Sequence, residues 1–375
     1  MLNNEVKIYI GYFIFFLLAI VFSTLINGLF LRFSKTLGIR QNQTQTQNMI
    51  RWASTTKPSV GGFSFYIVFL FSFTAFTFIA FDKSDLFNRQ LIGLLLASSI
   101  GFLIGLADDA YNTNPILKFL GQLMCAVILI ISGVIINITD YYAINALFTI
   151  FWVIGIMNSI NMLDNMDGIT ATISGIILLT CLSVQIIQGN FLSIYSLIII
   201  GVVGSIGGFM IFNFHPSKLY MGDTGSQFLG VLLAGIGILT LWKFRDVPGP
   251  VIQFKQFLFP ILVFSIPIID TTTVFYRRIM RRQSPFVGGR DHTTHHLAYL
   301  GLTDRQVLFF LSAIAIVSSG FVCGMVYFYD FLESAVTLVF FVYFIILFSV
   351  MQYLYELGKK RKMKIESEEK KLKIA

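Results

Sequence analysis

Charged residues are scarce in this sequence. Asp, Glu, Lys and Arg make up 12% of its 375 residues, and it has only four histidines and three cysteines. So little charge cannot cover the surface of a water-soluble domain of this length. Cys125, Cys181 and Cys323 lie singly inside apolar runs, without a CxxC pair or metal-ligand spacing. We therefore interpret them as packing residues, and no disulfide framework is implied.

Apolar residues are abundant instead: 56% of the chain is hydrophobic, 40 residues are Phe, and the mean hydropathy is +0.78. This composition predicts an all-α polytopic membrane protein. Because about 20 apolar residues cross one bilayer, the runs predict about eleven transmembrane helices. They lie near 8–30, 61–81, 91–107, 116–136, 143–160, 169–188, 191–212, 226–242, 256–275, 306–328 and 331–354.

The distribution of basic residues predicts the orientation of these helices. If the amino terminus is outside and the odd-numbered loops and the carboxyl terminus are cytoplasmic, most of the 27 Lys and Arg face the cytoplasm, as the positive-inside rule requires. The split among loops also argues against nucleic-acid binding. We expect a transmembrane domain over 1–357 and a basic cytoplasmic tail over 358–375. The exceptions to the bias are Lys7, Lys83, Arg89, Lys243, Arg245 and Lys255.

Polar residues interrupt the apolar runs at four places. Three breaks follow the third, fifth and seventh predicted helices, and the fourth lies between the ninth and tenth, so all four are predicted on the cytoplasmic face. Acidic groups beside hydrocarbon are costly, and their clustering on one face therefore predicts a metal and phosphate site. The breaks are Asp108-Asp109, Asn161–Gly168, Gly222–Gly225 and Asp291–His296.

The first two breaks are rich in carboxylates. Asp108 and Asp109 are adjacent, so they point in different directions, and one could face a metal while the other acts on a proton. On a continuous helix the spacing of three places Asn158, Asn161, Asp164 and Asp167 in one stripe. Such oxygen atoms suit Mg²⁺ and also accept hydrogen bonds from ribose or amide groups.

The other two breaks suit phosphate. Tyr220 and the glycines around Asp223 allow close backbone approach to a nucleotide diphosphate, although Asp223 could instead cap the following helix. His292, His295 and His296 lie in a loop with several arginines, including Arg290. We interpret this loop as a pyrophosphate-binding segment, with a zinc site as the alternative.

These motifs together resemble the polyprenyl-phosphate N-acetylhexosamine-1-phosphate transferases of glycosyltransferase family 4. The resemblance runs from about Lys57 to Leu302, and it rests on five motifs. They are Gly61-Gly62, Gly105-Leu-Ala-Asp108-Asp109, Asn161-Met-Leu-Asp164-Asn-Met-Asp167-Gly168, Met221-Gly222-Asp223-Thr-Gly225-Ser226 and the histidine loop.

The resemblance implies an Mg²⁺-dependent phosphotransferase of the bacterial inner membrane, with Mn²⁺ as an alternative cation and the active site facing the cytoplasm. It would transfer a sugar 1-phosphate from a UDP-N-acetylhexosamine to undecaprenyl phosphate, release UMP, and initiate a cell-wall or lipopolysaccharide polymer. A homodimer is left open. By position, Asn161 and Asp223 would hold the metal, and Asp108 and Asp109 would serve the lipid phosphate. The implied substrate-binding residues are Lys57, Asp164, Asp167, Tyr220, Arg290, His292, His295 and His296.

Two features bear on the branch of the family. The start Lys57-Pro-Ser-Val-Gly61-Gly62 is similar to the MurNAc-pentapeptide translocases, whereas Pro267-Ile-Ile-Asp270 and the lack of a triple histidine resemble the hexosamine branch, which we favour. A secondary transporter is the alternative from another class. Its site would lie near the bilayer midplane, where Asp270 is the only candidate acid.

Overall fold

Helices make up nearly all of the structure, a computed structural model that describes residues 4–36, 57–79, 88–244, 254–283, 289, 291–329 and 334–374. Within these ranges the chain forms thirteen α-helices. They are α1 (Asn4–Thr36), α2 (Gly62–Ile79), α3 (Arg89–Tyr111), α4 (Pro115–Ile131), α5 (Tyr142–Leu163), α6 (Ile169–Ile187), α7 (Ile194–Asn213), α8 (Gly222–Gly237), α9 (Phe254–Val263), α10 (Ser265–Met280), α11 (Thr293–Tyr299), α12 (Asp304–Tyr327) and α13 (Ser334–Ile374).

Nine helices in the described ranges are long and apolar enough to cross a membrane, and the pair α9 and α10, bent by 81°, makes ten if the two together count as one span. The apolar helix α4 has 17 residues. Each predicted helix therefore corresponds to a helix of the structure, and the all-α prediction is confirmed. The prediction missed the short helix α11 and the bend at Phe264. The predicted boundary between transmembrane domain and tail, after residue 357, lies within α13 and stays a prediction.

Helix α8 lies at the centre of the bundle. It packs against α2, α3, α5 and α6, and its apolar residues are buried along nearly its whole length. A π-helical segment, Ile238–Trp242, extends it to the end opposite Asp223. The first turn of α8 therefore projects into the middle of one end of the bundle.

Close backbone contacts hold the first turn of α8 in place. The Pro58–Gly62 segment pairs with the residues before α8: the Tyr220 amide donates to the Pro58 carbonyl (2.9 Å), and the Gly62 amide donates to the Met221 carbonyl (3.0 Å). A Cβ at Gly62 would overlap the backbone of α8 at Gly225. Only glycine allows α2 and α8 to meet this closely.

Candidate functional site

Four helix ends meet at one end of the bundle and bring three acidic or amide side chains around Lys118. The Lys118 Nζ lies 2.7 Å from Asp108 Oδ2, 3.3 Å from Asn161 Oδ1 and 3.6 Å from Asp223 Oδ1. Asp108 is near the end of α3, Lys118 near the start of α4, Asn161 near the end of α5, and Asp223 in the first turn of α8. The first three polar breaks therefore lie at one end of the bundle, as predicted.

Asp108 is the most firmly held acid of this cluster. Besides Lys118, its carboxylate accepts hydrogen bonds from the Thr113 amide (2.8 Å) and the Thr113 hydroxyl (2.6 Å). Only 9% of its side chain is exposed, against 34% for Asp223. Asp223 is therefore the more accessible carboxylate for an incoming cation or phosphate-linked metal.

Asp109 points away from Lys118 and toward α8. Its two carboxylate oxygens accept hydrogen bonds from the Asp223 amide (3.0 Å), the Thr224 amide (2.8 Å) and the Thr224 hydroxyl (2.6 Å). These amides belong to the first turn of α8, whose unpaired N–H groups and positive dipole end favour a carboxylate. Asp109 thus caps α8 from a neighbouring helix, whereas the sequence alternative had Asp223 itself as the cap.

The predicted polar stripe is only half helical. Asn158 and Asn161 lie on α5, but the helix ends at Leu163, and Asp164 has φ −76° and ψ 55°. The prediction of one continuous stripe was wrong, because the turn before Gly168 (φ +75°) redirects the chain into α6. Burial and the negative charge of Asp223 raise the pKa of Asp164 to about 7.

Asp167 faces a second group of residues, on the loop between α7 and α8. It accepts hydrogen bonds from the Ser217 amide (2.9 Å) and hydroxyl (2.7 Å), and it lies 3.0 Å from His215 Nδ1. The Lys57 Nζ donates to the Ser217 hydroxyl (2.8 Å) and lies 5.0 Å from the centre of the Tyr220 ring. The structure thus brings together Lys57, Asp167 and Tyr220, three of the predicted substrate-binding residues.

The histidine segment is folded into α11 and buried. His292 Nδ1 lies 2.9 Å from Asp270 Oδ2, and the Thr293 amide donates to Asp270 Oδ1 at 2.7 Å. The Thr294 hydroxyl donates to Asn165 Oδ1 at 2.7 Å. This last bond joins the fourth polar break to the second, so all four breaks lie at the same end of the bundle.

The three histidines have different surroundings, although each is 3–5% exposed. His292 contacts Asp270. The ring of His295 lies edge-on to the ring of His292, with the two centroids 6.0 Å apart. His296 packs on Tyr355 of α13 with ring centroids 3.8 Å apart. Burial and the positive charges of Lys362 and Arg277 lower the pKa of His296 to about 4, so it is uncharged at neutral pH.

Two arginines of this region form ion pairs with acidic residues. Arg278 makes two hydrogen bonds to Asp291, at 2.7 and 2.6 Å. Burial alone would raise the pKa of Asp291, but the Arg278 guanidinium holds it below its usual value. Arg277 pairs with Glu356 of α13. Arg290, a predicted substrate-binding residue, lies outside the described residues.

Sequence reasoning missed the central lysine. Lys118 contributed only to the charge count, although its position carried a signal, because it is the one charged residue of the largely apolar helix α4. An ionisable residue inside a membrane helix usually belongs to a functional site, because a charge in contact with lipid is costly. Its three oxygen partners come from three other helices, which the sequence does not bring together.

The oxygen ligands suit Mg²⁺, which needs only one or two carboxylates when substrate phosphates complete its coordination. Within the described ranges, no three His, Cys, Asp or Glu side chains form a ready metal cluster. Asp223 offers an accessible carboxylate. The Asn161 amide nitrogen donates to Asp223 and to Ser226 Oγ (2.9 Å), so Asn161 would have to turn its amide over to share a cation with Asp223.

The sequence was also compared with known proteins. Residues 91–241 match the sequence profile described as Glycosyl transferase family 4. A probable undecaprenyl-phosphate N-acetylglucosaminyl 1-phosphate transferase of Bacillus subtilis is 30% identical over 241 residues, which cover 62% of this chain and 65% of that relative. This chain therefore spans just under two thirds of that protein's length.

Two further relatives come from both branches of these enzymes. A decaprenyl-phosphate N-acetylglucosaminephosphotransferase of Mycobacterium leprae is 28% identical, covering 68% of this chain and 69% of the relative. A phospho-N-acetylmuramoyl-pentapeptide-transferase of Staphylococcus saprophyticus is 29% identical, covering 68% and 80%. The resemblance seen in the motifs is thereby supported: Asp108, Asn161 and Asp223 all lie in the stretch that matches the Glycosyl transferase family 4 profile.

Proposed function

We propose that this protein transfers N-acetylhexosamine 1-phosphate, with N-acetylglucosamine as the favoured sugar, from its UDP-sugar to undecaprenyl phosphate. One observation carries the proposal: Lys118 and Asp108, Asn161 and Asp223 converge from four helices at one end of a membrane bundle. The named activities of the relatives from Bacillus subtilis and Mycobacterium leprae supply the substrate class. The product would begin a cell-surface polysaccharide.

The reaction is one phosphoryl transfer. A phosphate oxygen of undecaprenyl phosphate attacks the sugar-bearing phosphorus of the UDP-sugar and forms a new P–O bond. The bond between that phosphorus and the bridging oxygen of the diphosphate breaks, and UMP leaves with the bridging oxygen. Such a reaction is accelerated mainly by positioning and by neutralising the charge on the phosphates. Lys118 supplies a fixed positive charge at the point where Asp108, Asn161 and Asp223 meet.

Each remaining group has a place in this scheme. Asp108, anchored by Thr113 and Lys118, faces the cluster and would orient the lipid phosphate. Asp109 would hold Asp223 in position through the backbone of α8. Lys57, Asp167 and Tyr220 form a separate group that would bind the nucleoside or sugar, and Tyr220 offers an aromatic ring for stacking.

We propose Mg²⁺ as the cofactor, held by Asp223 and by the turned amide of Asn161. When bound, it would neutralise negative charge on the diphosphate and make the phosphorus more electrophilic. Asp108 and Asp223 share a single lysine, Lys118, and the carboxylate of Asp109 binds the backbone of the turn that carries Asp223. That excess of negative charge supports a divalent cation at this position.

The test uses purified protein in detergent with UDP-GlcNAc, undecaprenyl phosphate and Mg²⁺. We expect release of UMP that requires both the lipid and the cation, and we expect Asp223→Asn to abolish it or to raise the Mg²⁺ requirement greatly. Asp140→Asn is the matched control, because Asp140 lies before α5 at the opposite end of the bundle and is exposed. Turnover with UDP-MurNAc-pentapeptide alone would favour the other branch. Sugar uptake by vesicles without UMP release would favour a transporter.

We also propose that the site faces the cytoplasm. In a variant without the three native cysteines, a cysteine at Tyr111 should react with an impermeant thiol reagent only from the cytoplasmic side. A cysteine at Tyr141 should react only from outside. Both side chains are exposed, and they lie at opposite ends of the bundle. Labelling of Tyr111→Cys from outside would reverse the orientation inferred from the basic residues.

A further inference from the structure

A second polar layer lies directly beneath the Lys118 cluster. It consists of Gln122 on α4, Asn158 on α5 and Gln227 on α8. The Gln122 Nε2 donates to Gln227 Oε1 at 3.0 Å, and the Asn158 Nδ2 donates to Gln122 Oε1 at 2.9 Å. We call these three residues the amide triad. It joins three of the four helices that supply the Lys118 cluster.

The amide triad is spaced one helical turn from the cluster on each helix. Gln122 follows Lys118 by four residues, Asn158 precedes Asn161 by three, and Gln227 follows Asp223 by four. Residues three or four apart lie on the same face of a helix, one above the other. Each amide is therefore stacked beneath a member of the cluster, one turn further from the helix end.

The surroundings of the amide triad are apolar. Gln227 and Gln122 are 0% and 1% exposed, and their neighbours Cys125, Ala126, Phe228 and Val231 are fully buried. Packing would hold these helices together with apolar residues in the same places, as it does elsewhere in the bundle. Buried amides pair well in few arrangements, so their main effect is to fix the register and rotation of the helices that carry them.

From this stacking we infer that Gln122, Asn158 and Gln227 are positioning residues for the active site. This inference rests on the proposed function, since it concerns the same cluster. The amide triad fixes α4, α5 and α8 relative to one another, and therefore fixes the 3.3 and 3.6 Å distances from Lys118 to Asn161 and Asp223. A small slide or rotation of α4 would separate Lys118 from its partners.

The decisive variant is Gln122→Met, which keeps the side-chain length and removes the three hydrogen bonds of Gln122 to Asn158 and Gln227. We expect kcat for UMP release to fall by about tenfold to a hundredfold, because small misplacements of charged groups are costly. The apparent KM for UDP-GlcNAc should change little, since Lys57, Asp167 and Tyr220 are not displaced. A general loss of structure would instead change kcat and the apparent KM together.

A matched control removes a buried polar pair that is remote from the site. The Thr180 hydroxyl on α6 donates to the Ser319 hydroxyl on α12 at 2.8 Å. Thr180→Val should lower the thermal midpoint as much as Gln122→Met does, yet leave kcat unchanged. Equal loss of kcat in both variants would overturn the inference, because the effect would then follow from stability alone.

A second measurement does not depend on turnover. Acylation of Lys118 by acetic anhydride, measured by mass spectrometry relative to the exposed Lys7, reports how tightly the three oxygen atoms hold the amine. We expect severalfold faster acylation in Gln122→Met and no change in Thr180→Val. Unchanged acylation in Gln122→Met would overturn the inference, whether or not the wild-type protein accepts UDP-GlcNAc. Failure of the wild-type protein to accept UDP-GlcNAc would count against the proposed function only. Gln227→Met provides the same test if Gln122→Met does not fold.

Discussion

Replacing Asp109 by Asn tests whether this carboxylate holds the structure of α8 or takes part in the reaction. In the structure this carboxylate accepts three hydrogen bonds from the first turn of α8. An amide side chain has only one acceptor oxygen, and its NH₂ group would face an N–H donor of Asp223 or Thr224. Asp109→Asn should therefore loosen the turn that carries Asp223.

The size of this effect follows from the bonds lost. A hydrogen bond to a charged group contributes about 1.5–3 kcal/mol. Loss of one such bond and of the favourable interaction with the helix dipole predicts a decrease in the free energy of unfolding of about 2–4 kcal/mol. Thr224→Val removes only the hydroxyl bond, keeps both backbone bonds, and should cost about half as much.

Thermal unfolding in detergent, followed by circular dichroism, measures the stability, and UMP release measures the activity. We expect Asp109→Asn to lower both the thermal midpoint and kcat, with Thr224→Val lowering each to a smaller extent. If Asp109→Asn were inactive but as stable as the wild-type protein, the reasoning would fail. Asp109 would then act on the substrate directly, as the family resemblance implies for the pair Asp108 and Asp109.

Three further predictions concern the same end of the bundle. Lys118→Met should lower kcat by about a hundredfold or more, because it removes the fixed cation from the cluster; near-normal UMP release would assign Lys118 to structure alone. The raised pKa of Asp164 means that the folded protein holds this proton more tightly than the unfolded chain, so the thermal midpoint in EDTA should fall as the pH rises from 3.8 to about 7. Asp164→Asn should flatten that slope, and an unchanged slope would refute the assignment. Finally, His292→Asn, Asp270→Asn and the double variant should lose kcat to a similar extent, because the two side chains act as one unit; additive losses would show independent roles.

The sequence could predict the helices because their signal is local. Each run of about 20 apolar residues has few alternatives to a membrane helix, and every run became a helix in the structure. The sequence also predicts that the polar breaks lie at the same end of the bundle, because the number of helices between two breaks decides whether they share an end. The number of spans therefore predicts that Asp108, Asn161 and Asp223 lie at the same end of the bundle.

The partners of each side chain could not be predicted in this way. Whether Asp108 or Asp109 faces Lys118 depends on the rotation of α3 against α4 and α8, which is set by packing across the whole bundle. The stripe prediction failed for Asp164 and Asp167 because α5 ends at Leu163, before either residue, and a turn that ends at Gly168 (φ +75°) leads into α6. The burial of the histidines depends on α13, far away in the sequence, whose Tyr355 covers His296.

The close meeting of α2, α3 and α8 has a consequence for how a mutational map of this protein should be read. Even the smallest side chain at Gly62 or Gly105 would overlap the backbone of the first turn of α8. Alanine at either position would thus abolish activity as completely as alanine at Asp223, although neither glycine contacts a reactant. Loss of function would mark glycines and carboxylates alike. Only measurements of how much folded protein survives would separate residues that perform the reaction from those that leave room for it.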